Sequence, residues 1–382
     1  MQCLHSHVKV FPVWVFKCWL SILIRILHHK RRILFTNRLF RLIIPTTLVL
    51  VLGIASLIGC TPDHPMSTFD AKGPVADRQL SLFVMIFWIA IAVFIVVGGG
   101  LLYTVIRFRD KGDGFKPEQT HGNTKLEITW TVIPSIMLAL VAIPTVVGQF
   151  YISSPPNGED MQINVEANQW WWEIEYPESG VVTANEIHVP LGKAVGVYLT
   201  SPDVLHSFWV PKLAGKMDIV PGKTTYMWFQ GDEIGNYYGQ CAEFCGESHA
   251  YMRFRVIVES QEDFDNWQQS QFADATPPNS DQEKLGATLF ITKGCIACHT
   301  VKGVPAAAGI IGPSLTHVGS RGTLAGGIID MTEENLSKWL KNPNKLKPGN
   351  IMSKQGIAYT NDALALQSED ISNLVAYLQA LK

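Results

Sequence analysis

The sequence has little net charge, and this shortage excludes one class of partner. It contains 31 Lys and Arg residues against 33 Asp and Glu residues, which gives a formal net charge of −2 over 382 residues. Nucleic-acid binding normally uses a strong positive field, so no nucleic-acid partner is expected. Cysteine is also scarce, with seven residues. Four of them lie in motifs typical of metal or haem binding, and the others leave no even set for a disulfide framework.

Charge is absent from two long segments of the N-terminal half. Residues 80–106 and 128–152 contain no charged side chain, and about 20 apolar residues suffice to cross a bilayer. The loop between them is basic, whereas residues 153–192 contain no Lys or Arg. Basic residues favour the cytoplasmic side of a membrane. The sequence therefore predicts a two-helix transmembrane hairpin over residues 80–152, with its turn in the cytoplasm and all later residues outside.

Residues 1–59 form a leader of different character. An apolar run over residues 42–58 follows a basic region and ends at Leu57-Ile-Gly-Cys60, the order of features found in a signal peptide. This ending resembles the bacterial lipoprotein processing box, which implies cleavage and lipidation at Cys60. A retained transmembrane helix with an incidental cysteine is the alternative. A processed Cys60 would place residues 60–79 outside the cytoplasm, in agreement with the orientation of the hairpin.

Residues 153–259 have the pattern of a β domain. Short runs rich in Val, Ile, Thr and aromatic residues alternate with turns, at Gln162–Glu166, Ala194–Leu199, Thr224–Phe229 and Arg253–Val258. Alternation with a period of two is typical of half-buried strands, and several such strands predict an all-β sandwich or barrel. Three consecutive tryptophans, Trp170 to Trp172, cannot all point inward along one strand, so at least one is expected to face solvent.

A cluster of soft ligands lies near the end of this domain. Cys241, Cys245, His249 and Met252 follow the spacing C-x3-C-x3-H-x2-M, and His206 lies upstream. Sulfur with imidazole is a ligand set for copper or zinc. A single blue-copper ion needs one thiolate, whereas two thiolates can bridge two metal ions. The residues therefore favour a dinuclear copper site, and a zinc site or a disulfide between the two cysteines are the alternatives.

A haem-attachment motif follows a polar segment. Residues 260–280 include Pro277-Pro278 and are predicted to be a linker. After the linker, Cys295-Ile-Ala-Cys298-His299 matches the attachment signature of c-type haem. In that signature the two thiols form thioethers to the haem and the imidazole ligates the iron. A redox Cys-x-x-Cys followed by histidine by chance is the alternative.

Residues 281–382 resemble class I cytochrome c over their whole length, which implies an all-α domain. The resemblance rests on a helix crossing (Gly286 and Phe290 with Leu374 and Tyr377), the turn Gly312-Pro313, and the motif Lys347-Pro-Gly-Asn-Ile-Met352. It implies that His299 and Met352 are the two axial ligands of the iron. Met331 and His317 are rivals for the sixth position, but neither lies in such a motif.

The copper motif and its surroundings closely resemble subunit II of the haem–copper cytochrome c oxidases. The resemblance runs from about residue 75 to residue 260, and it is carried by Tyr237–Met252, Asp203–Phe208 and Lys216–Gly222. It implies a cupredoxin-like barrel that holds a dinuclear CuA centre. The implied ligands are bridging Cys241 and Cys245, one histidine on each copper (His206 and His249), the weak ligand Met252 and the backbone carbonyl of Glu243.

The same resemblance assigns three further roles. The side chain of Glu243 reaches a magnesium ion shared with subunit I, and Trp170 occupies the position through which electrons pass toward CuA. Glu127 lies at the mouth of a proton channel into subunit I. An acid at the start of a helix is favourable by itself, so a purely structural role is the alternative for Glu127. Barrel core or membrane anchoring is the alternative for Trp170.

Together the resemblances imply subunit II of a caa-type oxidase, in which the donor cytochrome is fused to the copper domain. Electrons would pass from a soluble cytochrome or a bc-type complex to haem c, then to CuA and to subunit I, where oxygen is reduced and protons are pumped. The expected partners are subunits I and III and membrane lipid, with both soluble domains outside the bacterial plasma membrane. A membrane-tethered electron carrier or copper protein acting outside an oxidase is the alternative.

The fusion also predicts how the two soluble domains meet. Residues 153–192 contain seven acids: Glu159, Asp160, Glu166, Glu173, Glu175, Glu178 and Glu186. The haem domain carries Lys341, Lys345 and Lys347 shortly before Met352. We expect this basic rim to meet the acidic region near Trp170, because complementary charge sets the orientation of docking partners.

Overall fold

The computed structural model describes residues 44, 46–53, 64–110, 112, 114, 118–119 and 121–382. It divides the chain into two compact units, Met1–Pro62 and Asp63–Lys382. In the first unit, residues 46–53 are helical. The predicted lipidation site Cys60 and most of the predicted leader lie outside the described residues. The second unit contains the membrane hairpin, the β domain and the haem domain.

The membrane hairpin consists of helix α1 (Pro74–Arg107) and helix α2 (Thr124–Ser153). Each is long and apolar enough to cross a membrane, and the two contact each other. Asn123 caps α2, since its side chain accepts hydrogen bonds from the first-turn backbone N–H groups. The predicted pair of apolar helices is confirmed. α1 begins before the predicted span because its first turn, with Val75 and Ala76, is buried against the β domain.

The β domain contains ten strands in two sheets. The strands are β1 (Met161–Asn168), β2 (Trp171–Tyr176), β3 (Val181–Ala184), β4 (Glu186–Pro190), β5 (Val195–Thr200), β6 (His206–Trp209), β7 (Lys216–Ile219), β8 (Thr225–Phe229), β9 (Gly235–Cys241) and β10 (Arg253–Glu259). The sheet orders are β3-β2-β1-β5-β8 and β4-β10-β9-β6-β7. Buried residues alternate along β1 at Ile163, Val165 and Ala167, as the period-two pattern requires. The predicted cupredoxin-like domain is confirmed.

The segment predicted to be a linker begins with a helix. Ser260 caps α3 (Gln261–Gln271) by accepting a hydrogen bond from the N–H of Asp263. Phe264 is buried in the barrel core, and Trp267 stacks on His188 with ring centroids 4.2 Å apart. The first half of residues 260–280 is therefore attached to the β domain. Residues 272–280 are the part without regular structure.

The haem domain is built from short helices. They are α4 (Asp281–Thr292), α5 (Glu333–Lys341), α6 (Pro343–Leu346), α7 (Ile351–Gln355), α8 (Ile357–Thr360) and α9 (Ser368–Ala380). α4 and α9 cross with Phe290 against Tyr377, whose ring centroids are 5.6 Å apart. The predicted cytochrome c fold is confirmed. One feature departs from the all-α prediction: a short hairpin of β11 (Thr323–Leu324) and β12 (Ile329–Asp330).

Candidate copper and haem sites

The predicted copper ligands come together at one end of the barrel. His206 begins β6, Cys241 ends β9, and the following loop carries Cys245, His249 and Met252. The Sγ atoms of the two cysteines are 3.7 Å apart. Nδ1 of His206 lies 3.9 Å from Sγ of Cys241, and Nδ1 of His249 lies 3.6 Å from Sγ of Cys245. Sδ of Met252 is 3.9 Å from the Cys245 sulfur. The five side chains therefore form one cluster.

This donor set fits a pair of copper ions better than the alternatives. The donor atoms of His206, Cys241 and Cys245 lie within 4.8 Å of one another and all three residues are buried. A disulfide needs sulfurs about 2.05 Å apart, so both cysteines are free thiols here. A closed zinc site takes four Cys or His ligands and leaves a thioether unused. The backbone carbonyl of Glu243, 3.2 Å from Sγ of Cys241, adds an oxygen donor to the cluster.

The two cysteines hold their protons unequally. The hydrogen bond between the two cysteines, together with one that involves His206, lowers the pKa of Cys241 to about 4. The hydrogen bond to Cys241, followed by burial, raises the pKa of Cys245 far above its usual range. Of the two cysteines, Cys241 is thus the one that loses its proton more easily. Both cysteines would have to be deprotonated to hold a metal, because thiolates are the species that ligate metals.

Asp203 holds His206 in position. Its Oδ1 lies 2.8 Å from Nε2 of His206, so the other ring nitrogen faces the cysteine sulfurs. Burial lowers the pKa of His206, but the hydrogen bond to Asp203 and the neighbouring Cys241 outweigh it and raise the pKa overall. Asp203 also accepts a hydrogen bond of 2.7 Å from the backbone N–H of Gln169. Sequence reasoning missed this role, for which an acid three residues before a ligand histidine was the available signal.

Trp170 lies between the two predicted sites. It is buried, with 7% exposure, and its Nε1 donates a hydrogen bond of 2.9 Å to the carbonyl of Cys245. The same residue lines the cavity of the haem domain. The expectation that at least one of the three consecutive tryptophans faces solvent is met only in part, because Trp171 is the one with partial exposure. Trp172 lies in the barrel core, Trp171 is half-buried, and the haem domain approaches Trp170 through Gly326 and Gly349.

The predicted haem-binding residues line one cavity of the haem domain. Cys295, Cys298, His299 and Met352 all line it, with apolar side chains that include Phe290, Leu315, Val318, Leu336, Leu340 and Leu374. Nδ1 of His299 lies 2.8 Å from the carbonyl oxygen of Pro313, which leaves Nε2 for a metal. Burial lowers the pKa of His299, so its ring is neutral, as iron ligation requires. An apolar cavity with one imidazole and one thioether fits a haem.

The two rival axial ligands lie elsewhere in the haem domain. Met331 packs against the core and His317 is buried, and neither lines the cavity. The predicted turn residue Gly312 does lie beside the proximal histidine, because a Cβ added there would overlap the His299 ring. The geometry therefore favours Met352 as the partner of His299.

Two of the predicted functional residues are acids with partly or fully exposed side chains. Glu127 is exposed in the first turn of α2. Glu243 is half-buried beside the copper cluster, and its neighbour Phe244 is 74% exposed.

The fold and these sites define a membrane-anchored electron-transfer protein with one copper domain and one haem domain. Residues 64–147 match the family described as cytochrome C oxidase subunit II, transmembrane domain; residues 181–260 match its periplasmic domain, and residues 283–382 match cytochrome c. The cytochrome c oxidase subunit 2 of Alkalihalophilus pseudofirmus is 38% identical over 332 residues, which cover 85% of this chain and 94% of that protein. The chain therefore belongs to the cytochrome c oxidase subunit II family.

The chain is also similar to other proteins. The cytochrome c oxidase subunit 2 of Bacillus subtilis is 36% identical over 355 residues, covering 88% of this chain and 97% of that protein. The quinol oxidase subunit 2 of Bacillus cereus is 33% identical but covers 59% of this chain. The periplasmic domain of subunit II from Bradyrhizobium japonicum is 30% identical, covers 30% of this chain and 94% of that structure, and gives a TM-score of 0.29. Family membership implies copper, haem and association with subunit I in an oxidoreductase complex.

Proposed function

We propose that this chain passes electrons from a covalently bound haem c to a dinuclear CuA centre and on to subunit I of a caa-type oxidase. The observation that carries this proposal is the position of Trp170. Its indole lines the haem cavity, and its Nε1 donates to the carbonyl of Cys245 in the copper cluster. One buried side chain thus contacts both sites.

In this proposal the copper cluster provides two bridging thiolates. Cys241 and Cys245 would each contact both coppers, His206 and His249 would ligate one copper each, and Met252 and the Glu243 carbonyl would be weak ligands. The sulfur–nitrogen and sulfur–sulfur distances of 3.6–3.9 Å among the five side chains support this arrangement. When bound, two coppers that share one electron supply a one-electron relay. The barrel keeps the donors in place.

In the haem domain, Cys295 and Cys298 would bind the haem covalently, and His299 and Met352 would ligate its iron. A thioether is a weak donor, and a Met/His pair raises the haem potential. Such a haem can donate to copper without a large loss of energy. The carbonyl of Pro313 fixes the orientation of His299 through its 2.8 Å contact with Nδ1.

The remaining parts of the proposal concern groups outside this chain. Glu243 would help to bind a magnesium ion shared with subunit I, and Glu127 would lie at a proton-channel mouth. Cys60 would be lipidated after removal of residues 1–59. The donor to haem c would be a soluble cytochrome or a bc-type complex, and subunit III would complete the assembly in the bacterial plasma membrane. The mature chain would then consist of an N-terminal segment outside the cytoplasm (60–79), the membrane hairpin (80–152), the copper domain (153–259), a linker (260–280) and the haem domain (281–382).

The test is a metal and spectral analysis of the full chain, purified from its native membrane. We expect two coppers and one haem per chain, with an electron paramagnetic resonance signal shared by two copper nuclei. Cys245→Ser should abolish that signal and keep the haem, whereas Cys298→Ser should reduce covalent haem and keep both coppers. One copper per chain, or a signal localised on one nucleus, would exclude the dinuclear centre.

Co-purification separates the proposal from its alternative. An oxidase subunit should purify with a partner that contains haem a. Recovery of the loaded chain without such a partner would favour a membrane-tethered electron carrier that acts outside an oxidase.

A further inference from the structure

The haem domain contacts the copper domain through its β11–β12 hairpin and the loop before α7. The backbone N–H of Arg253, at the start of β10, donates to the carbonyl of Gly326 at 2.9 Å. The hydroxyl of Ser248 donates to the carbonyl of Pro348 at 2.5 Å. Gly327 has a positive φ of 74°, and a Cβ there would lie 3.0 Å from the Arg253 backbone. The hairpin thus lies so close to β10 that a side chain at Gly327 would require the strand to shift slightly.

Glu186 is the acid at the centre of this contact. It begins β4 of the copper domain and is buried, with 4% exposure. Its Oε1 accepts hydrogen bonds from the N–H of Thr323 at 2.6 Å and from the hydroxyl of that residue at 2.5 Å. Its Oε2 accepts a third from the N–H of Gly322 at 3.2 Å. All three donors belong to the haem domain.

No salt bridge replaces these donors within the described part of the chain. Burial lowers the pKa of both Arg255 and Arg321, and the charge of Glu186 opposes this effect at longer range. Neither guanidinium forms an ion pair of 4 Å or less with Glu186 among the described residues. A buried carboxylate is costly unless it is hydrogen-bonded. The docked haem domain is therefore what satisfies this carboxylate.

The loop that binds Glu186 also forms a wall of the haem cavity. Arg321, Thr323 and Leu324 all line the cavity, and Nη2 of Arg321 donates to the carbonyl of Ser314 at 2.7 Å. A displacement of this loop from Glu186 would move the cavity wall relative to Trp170, which lines the same cavity.

The single ion pair between the two domains in the described residues joins Glu247 and Lys354. Its N···O distance is 3.9 Å, and each of the two side chains is 59% exposed. Such a pair contributes little.

We infer that Glu186 is a positioning residue that holds the haem domain in one docked orientation, with the haem cavity against Trp170. The contact itself follows from the geometry above, and its consequence for electron transfer rests on the proposed function. Glu186 accepts from two backbone N–H groups and one hydroxyl of the opposite domain, so it fixes orientation more than it adds attraction. The haem domain is then a fixed relay on the copper domain and not a mobile carrier at the end of a linker.

Hydrogen exchange in the full, metal-loaded chain tests the docking directly. We compare Glu186→Gln, which keeps the shape but removes the charge, with Glu178→Gln, an exposed acid of the same domain. Hydrogen bonds to charged groups are the strong ones, so exchange of the Thr323 amide should accelerate about tenfold or more in Glu186→Gln. The Arg253 amide, which bonds Gly326 and not Glu186, should accelerate as well because the hairpin detaches. Glu178→Gln should match the wild type.

If the exchange rate of the Arg253 amide is the same in Glu186→Gln as in the wild type, the inference is wrong. It is also wrong if the Arg253 amide of the wild type shows no protection from exchange. The rate of electron transfer from haem c to copper gives the second measurement. It should fall about tenfold in Glu186→Gln while the copper and haem spectra stay those of the wild type; an unchanged rate would also overturn the inference. Because exchange and spectra are recorded on the same sample, a failure of the metal-site proposal would appear in the spectra and leave the docking result intact.

Discussion

At the scale of single residues, the copper site depends on groups that hold its ligands. Asp203 fixes the ring of His206 through a contact of 2.8 Å. Burial raises the pKa of Asp203, but hydrogen bonds from His206, Val204 and Gln169 outweigh it and lower the pKa overall. The acid is therefore ionised at neutral pH. Groups that orient a ligand in this way typically account for about 10- to 100-fold in metal affinity.

We predict that Asp203→Asn weakens copper binding by about 10- to 100-fold. The amide carries no charge and its nitrogen cannot accept the hydrogen bonds that the carboxylate now accepts. A competition titration of the full chain with a copper chelator measures this effect. Asp218→Asn, which changes an exposed acid on β7, is the matched control. Equal affinity in the two variants would show that Asp203 does not position His206.

The sequence predicted the ligands themselves but not the residues that support them. Cys241, Cys245 and His249 occur in one short motif, so their spacing carries the chemistry. The hydrogen bond between Asp203 and Gln169 joins residues 34 positions apart, and the one between Glu186 and Thr323 joins residues 137 positions apart. Such pairs follow from the packing of strands and domains, for which no local spacing rule exists.

At the scale of elements, the crossing of α4 and α9 depends on one glycine. A Cβ at Gly286 would overlap the backbone carbonyl of Asn373 and the Cβ of Tyr377. We predict that Gly286→Val destabilises the haem domain by about 1–3 kcal/mol, the usual cost of overpacking a tight contact. Denaturant unfolding followed by haem absorption measures it. Lys284→Val, on the exposed face of the same helix, should cost roughly 0.5 kcal/mol, the helix penalty of a β-branched residue. Similar losses would argue against a packed crossing.

Elements with a strong pattern were predicted and elements without one were not. The two membrane helices and strands such as β1 and β10 have long apolar runs or clear alternation. The sequence of helix α3 is mostly polar, which is typical of a linker. Its apolar residues Phe264 and Trp267 pack against the barrel. The β11–β12 hairpin pairs just two residues on each strand, which is too short for a periodic signal.

At the scale of the whole molecule, the expected basic rim is not what joins the two domains. Lys341 and Lys345 are exposed, and among the described residues neither forms a salt bridge. Lys347 is buried near Trp170, but its Nζ donates to the carbonyl of Ala325 in its own domain at 2.9 Å. Burial lowers the pKa of Lys347 to about 7. The domains meet instead through backbone hydrogen bonds and one buried acid.

This interface predicts a weak salt dependence for the internal electron transfer. Raising the ionic strength from about 0.1 M to about 1 M shortens the Debye length from about 10 Å to about 3 Å. Exposed charges lose their interaction under these conditions, whereas buried hydrogen bonds do not. Transfer from haem c to copper should change by less than about twofold, because the one exposed ion pair contributes little. Reduction of haem c by a soluble, oppositely charged donor should slow by about tenfold, because electrostatic steering is lost.

Stopped-flow reduction and flash-induced internal transfer, recorded on the same preparation, give the two rates. Lys354→Gln removes the exposed ion pair with Glu247 and serves as the control, and it should leave the internal rate nearly unchanged at either salt concentration. If the internal rate instead falls with salt as steeply as the donor reaction, surface charge holds the domains together. The hydrogen-bonded contact around Glu186 would then be too weak to keep the haem domain docked during turnover.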